Sequence, residues 1–210
     1  MRDRVFQEAV KLFARRGFAA TGIRDIGREV GLTSAALYHY VTSKEELLAG
    51  VMSECMNEFL RGGRAARASS DEPVIQLSRL VRFHVAAECV NPLTSQVTDR
   101  EVRSLTGDNR TRVIALRDEF ESVYRAVLTD GAEASGFNLI DQRLPSFAMV
   151  EMCNGVANWY RPGGRLSVEE LQGHYATLAH RMVKVRSRRT DPGSDILAVR
   201  LPSEPEVEQS

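Results

Sequence analysis

Gly31 stands between two short stretches in which apolar residues recur at helical spacing, and that punctuation limits what the chain can fold into. Before it, Ile23, Ile26 and Val30 fall at i, i+3 and i+7, one face of a helix. Glycine is the residue that lets a chain leave a helix through a positive φ at no steric cost. Leu32 follows as the buried residue of the turn, and Thr33 is a suitable N-cap for a second helix over 34–41. Leu37 and Val41, four apart, form the inner contacts of that helix.

A helix, a glycine turn and a second short helix make a helix-turn-helix, whose second helix enters the DNA major groove. The outward residues suit that use. Ser34, Ala35 and Ala36 are small and allow close approach, and the helix N-terminus offers free N–H groups to a phosphate. Tyr38, His39 and Tyr40 add flat hydrogen-bonding side chains. Ser43-Lys44-Glu45-Glu46 reads as a capping box, with Ser43 as N-cap and Glu46 as its reciprocal partner. Lys44 then lies in a first helical turn, where a cation opposes the macrodipole, and a phosphate partner would account for it. Without DNA, the same pattern describes a solvated three-helix corner.

The stretch resembles the DNA-binding domain of the TetR family of bacterial one-component repressors. The resemblance runs through Phe13, Gly17, Phe18, Thr21, Ile23, Asp25-Ile26, Gly31-Leu32, Leu37-Tyr38-His39-Tyr40 and Ser43-Lys44-Glu45-Glu46-Leu47. Departures fall at Gly27, Val30 and Val41, all packing positions. It implies an all-α chain: a three-helix helix-turn-helix domain over 1–48 and a helical ligand-binding and dimerisation bundle over 49–186, followed by a tail over 187–210. On this reading Thr21, Tyr38, Tyr40 and Lys44 contact phosphates. Arg24, Ser34, Ala35, Ala36 and His39 meet base edges or thymine methyls, with Thr33 beside them. A dimer would require a near-palindromic operator.

Net charge is zero, so bulk charge does not announce nucleic acid, and a local basic face must serve instead. Arg2, Arg4, Lys11, Arg15, Arg16, Arg24, Arg28 and Lys44 offer one. No apolar run approaches the roughly 18 residues of a membrane span. Cys55, Cys89 and Cys153 are scattered without a CxxC, which reads as a reduced, cytoplasmic protein. There is no glycine-rich phosphate loop, nucleophile elbow or HExxH, so no catalytic residues and no cofactor are expected.

Further along, helical spacing predicts helices over 2–16, 44–60, 73–89, 93–105, 110–134, 141–160 and 167–185, with the small-residue run 61–70 closing one helix and forming a loop. His84 and Glu88 are one turn apart, but two ligands make no metal site, and none is expected. With Tyr124, Glu151, Asn154 and Asn158 they are the polar positions expected to meet an effector. Phe147, Val150, Trp159, Tyr175, Leu178 and Met182 are the expected dimer face, because a helix apolar nearly all round is covered on more than one side. Trp159-Tyr160-Arg161-Pro162-Gly163-Gly164 resembles TetR-like regulators of lipid, sterol or fatty-acid breakdown, which implies a small hydrophobic or acyl-CoA thioester effector. The expected function is therefore a ligand-responsive dimeric repressor. The alternative is an all-helical protein-interaction module that does not bind DNA specifically.

Overall fold

The computed structural model describes residues 1–134 and 136–183. The tail expected over 187–210, with its short apolar run at 196–201, lies outside them. Among the described residues the chain is all helical. The helices are α1 (Arg2–Arg16), α2 (Ile23–Val30), α3 (Ser34–Leu37), α4 (Lys44–Ala68), α5 (Pro73–Val90) and α6 (Pro92–Arg100). They continue with a 3-10 turn η1 (Glu101–Ser104), α7 (Gly107–Glu133), α8 (Arg143–Asn154), α9 (Val156–Trp159) and α10 (Val168–Met182).

The chain forms two compact units that do not follow sequence order. The first combines Met1–Asn57 with Leu93–Asp118. Its core holds Val5, Ala9, Leu12 and Phe13 of α1, Ile26 and Val30 of α2, Leu37 of α3 and Leu47, Leu48 and Met52 of α4. Val97, Leu105 and Val113 complete it from the later segment. The second unit combines Glu58–Pro92 with the described residues from Glu119 onward. α5 lies at its centre: Leu77, Leu80, Val81, His84, Val85 and Ala87 are all buried, and α8, α9 and α10 pack on it.

Several elements depart from their predicted bounds. α4 continues to Ala68 through Gly62 and Gly63, where the sequence predicts a loop. A Cβ on Gly62 would lie 2.1 Å from ring carbons of Phe83, and one on Gly63 would lie 3.0 Å from Phe120. These glycines serve close helix–aromatic packing, not a break. The predicted helix over 141–160 begins at Arg143 and is interrupted at Gly155. The predicted helix over 93–105 tightens to 3-10 geometry from Glu101.

Gly62→Ala is therefore expected to destabilise the protein. Overpacking a fixed ring costs roughly 1–3 kcal/mol, against about 1 kcal/mol gained in helix propensity. Urea denaturation should show a lower midpoint with an unchanged slope.

Candidate functional site

α2 and α3 are joined as the sequence requires. Gly31 adopts φ 71, ψ 28, and Leu32 N–H closes the turn on Gly27 O at 2.8 Å. Thr33 caps α3 by accepting the Ala36 N–H at 3.2 Å. α3 is shorter than predicted. It ends at Leu37, and 38–40 wind on as turns, with Tyr40 N–H bonded to Leu37 O at 2.9 Å. Short i→i+3 bonds commonly tighten a last helical turn in this way. Leu37 is wholly buried and anchors α3. Around it Thr33, Ala35, His39, Tyr38 (53% exposed) and Tyr40 (41%) face solvent, with Ser34 and Ala36 partly exposed. Arg24, in the first turn of α2, is exposed too.

Two expected phosphate contacts have other employment. Thr21 is 1% exposed, and its hydroxyl donates to Gly17 O at 2.8 Å. It closes the end of α1 and has no hydroxyl to offer a phosphate. Lys44 Nζ donates to Phe18 O at 2.7 Å and to Thr21 O at 2.8 Å, with the Phe18 ring centroid 4.1 Å away. Two of its three donors are used, so its place in a first helical turn needs no phosphate.

The rest of that run also turns inward. Ser43 Oγ accepts the Glu46 N–H at 3.0 Å, as a cap should. The Glu46 carboxylate, however, does not reciprocate as predicted but pairs with Arg112 at 3.2 Å. Glu45 accepts the N–H of Thr106 at 2.8 Å and its hydroxyl at 3.1 Å. Lys44→Met should lower stability by about 1–3 kcal/mol, the worth of hydrogen bonds to a charged group. Operator affinity should fall too; an unchanged salt slope would mean that Lys44 touches no phosphate, and a shallower one that its third donor does. Urea melts and anisotropy titrations over a salt series check both.

In the second unit, four of the six expected effector residues converge. His84 is wholly buried; its Nδ1 lies 2.9 Å from Tyr124 Oη and its Nε2 3.0 Å from Asn154 Oδ1. Glu88 Oε1 lies 3.5 Å from the same Nε2. Phe59 and Phe120 meet the imidazole edge to face, at centroid distances of 5.2 and 5.0 Å. Burial alone pushes the His84 pKa down, but the Cys153 sulfur and the Glu88 carboxylate outweigh it and raise it to about 10. On the Tyr124 phenol burial acts the other way and raises the pKa, because its charged form is the anion. Glu151 and Asn158 are exposed, on the polar side of α8 and α9. Among the described residues no three His, Cys, Asp or Glu side chains gather as a metal site requires.

Sequence reasoning missed two features. One is a cleft of about 520 Å³ lined by Arg64, Arg67, Gln76, Glu119, Ser122 and Asp130. Its two arginines pair with Glu119 and Asp130, which balances their charge. The other is Glu101, whose Oε1 accepts the Phe18 N–H at 3.0 Å. In sequence Glu101 is one charge in a charged run, and no local signal marks it. Of the expected dimer residues, Phe147, Trp159 (50%), Leu178 and Met182 are exposed, while Val150 and Tyr175 are half-buried. α8 buries only Ser146, Met149 and Cys153, and leaves Leu144, Phe147 and Ala148 exposed.

Comparison with known proteins agrees with this architecture along most of the chain. A family model described as bacterial regulatory proteins, tetR family, matches residues 5–51. Another, described as tetracyclin repressor-like, C-terminal domain, matches residues 70–183. The chain is 28% identical over 179 residues to the HTH-type transcriptional repressor KstR2 of Rhodococcus jostii, covering 84% of this chain and 88% of that protein. Among solved structures it is similar to the TetR family transcriptional regulator PfmR of Thermus thermophilus. The identity is 32% and the TM-score 0.79, covering 89% of this chain and all of that one. The fold also matches AibR, solved with isovaleryl coenzyme A and operator DNA, at 21% identity and a TM-score of 0.77, over 84% and 96% of the two chains.

Proposed function

This chain belongs to the TetR family of DNA-binding transcription regulators, not to a family of enzymes, and we propose that it is a dimeric repressor released by an acyl-CoA-type effector. Residues 1–48 act as the reading domain and 49–186 as the effector and dimerisation domain. The observation that carries the reading is α3 itself. A wholly buried Leu37 fixes a helix and a following turn whose side chains, Ser34, Ala35, Tyr38, His39 and Tyr40, reach solvent. Tyr38 and Tyr40 hold the phosphates, while Arg24, Thr33, Ser34, Ala35, Ala36 and His39 read base edges and thymine methyls. Lys44 and Thr21 position the turn behind them.

Two-fold pairing through Phe147, Val150, Trp159, Tyr175, Leu178 and Met182 covers the apolar side of α8, α9 and α10, and matches a near-palindromic operator. Exposed apolar patches of this kind are typical of interfaces. The effector meets His84, Glu88, Tyr124 and Asn154, whose polar atoms face one another in an aromatic setting. Glu151 and Asn158, being exposed, belong at most to its entrance. AibR, of the same fold, is bound to isovaleryl coenzyme A, and the segment 159–164 supports the same ligand class. The effector acts only through the difference in its affinity for the DNA-bound and released conformations.

A mobility-shift titration on DNA flanking the protein's own coding sequence tests the reading, with isovaleryl, long-chain and steroid acyl-CoA thioesters added in turn. A specific shift released by one thioester supports the whole of it. A shift that none releases rejects the effector class. Only salt-sensitive background binding rejects the operator and favours the interaction-module alternative.

A further inference from the structure

Phe18 is gripped from both sides by groups of opposite charge. Its N–H donates to Glu101 Oε1 at 3.0 Å, while its C=O accepts from Lys44 Nζ at 2.7 Å. The other oxygen of Glu101 accepts the Ser104 hydroxyl at 2.7 Å, which holds the carboxylate in place. Gly17, just before Phe18, has φ 80, and a Cβ there would meet Glu101 Oε1 at 3.5 Å. The carboxylate thus lies against the backbone of the turn between α1 and α2.

That turn has little freedom left. Thr21 Oγ1 is bonded to Gly17 O, the Thr21 carbonyl to Lys44, and the Gly22 N–H to Asp25 Oδ2 at 2.9 Å. Asp25 lies in the first turn of α2, one residue after Arg24. Each of these ties is short in sequence or comes from the start of α4. The Glu101 bond alone among them crosses 83 residues.

We propose that Glu101 is a positioning residue for DNA reading: by holding the Phe18 amide it aims α2 and α3 from outside residues 5–51. The inference rests on the operator-binding reading above, and concerns a residue that touches no DNA. Removing the carboxylate leaves the Phe18 N–H without its acceptor in a half-buried place and lets the turn re-aim α2. A charge-assisted bond of this type is stronger than a neutral one, and a small misplacement of a reading helix weakens every contact it makes.

Glu101→Ala and Glu101→Gln separate positioning from simple folding support. Anisotropy titrations use the fragment that wild-type protein shifts, over a salt series, alongside hydrogen exchange at the Phe18 amide. Glu101→Ala should bind about tenfold more weakly, the equivalent of one such bond, with an unchanged salt slope and faster Phe18 exchange. Glu101→Gln keeps a carbonyl acceptor and should restore most of both. Wild-type affinity in Glu101→Ala, or a Gln variant as weak as the Ala variant, overturns the proposal. If Glu101→Ala does not fold, the Gln variant decides: near wild-type affinity with Phe18 still protected upholds the proposal, and a loss of either overturns it. Failure of wild-type protein to bind any fragment counts against the functional reading, whereas wild-type affinity in the variant counts against Glu101 alone.

Discussion

Ala35→Asp should abolish operator binding while leaving the fold intact. Ala35 is exposed in the first turn of α3, where a carboxylate is favourable to the helix by about 0.3–1 kcal/mol. The thermal midpoint should therefore hold or rise slightly. Against DNA the same carboxylate meets phosphates, and like-charge juxtaposition costs several kcal/mol. In the proposed dimer the charge would occur twice, so affinity should drop by more than about 100-fold, at roughly 1.4 kcal/mol per factor of ten. Anisotropy titration measures the loss and circular dichroism the fold. A folded variant with wild-type affinity would remove α3 from the interface.

The largest expected stability effect is at His84. Its ring joins α5 to Tyr124 of α7 and Asn154 of α8, with Glu88 one turn away. Breaking a buried charged pair by removing one partner costs about 3–5 kcal/mol. Domains are stable by only about 5–15 kcal/mol, so His84→Ala should lose a large part of the total. Changing both partners, as in His84→Leu with Glu88→Leu, should recover part of it, because no lone charge remains buried. The effect depends on pH with a definite sign. Folding raises the His84 pKa from 6.5 to about 10. Its contribution is complete below pH 6.5 and is lost as pH rises through about 10. The gap in urea midpoint between wild type and His84→Gln should narrow over that window. A constant gap would mean that the imidazole does not change charge there.

What the sequence disclosed and what it hid divide along the range of the interactions involved. The glycine turn at Gly31 and the Thr33 cap are both legible in the sequence, because every partner lies within a few residues. Lys44 was recognised as ill-placed, but the carbonyls that resolve its position come from residues 23 and 26 places away. Gly62 and Gly63 were misread as a helix end. A glycine that breaks a helix and one that admits a ring against it look alike in sequence, and the ring belongs to Phe83. For the polar cluster, helical spacing linked His84 to Glu88, whereas only the packed unit joins both to Tyr124 and Asn154. Glu101 left no trace, since its bond to the Phe18 amide requires knowing where η1 lies against the end of α1.

The discontinuous first unit also bears on how the protein is made. Its core draws Val97, Leu105 and Val113 from a segment that follows the first 57 residues only after an intervening stretch of the second unit. A ribosome adding roughly 5–20 residues per second needs about 3–12 s to pass from residue 57 to residue 118. For that interval the nascent helix-turn-helix has emerged with part of its apolar surface uncovered. The DNA-reading unit therefore cannot complete its core until α5 of the second unit has already been made.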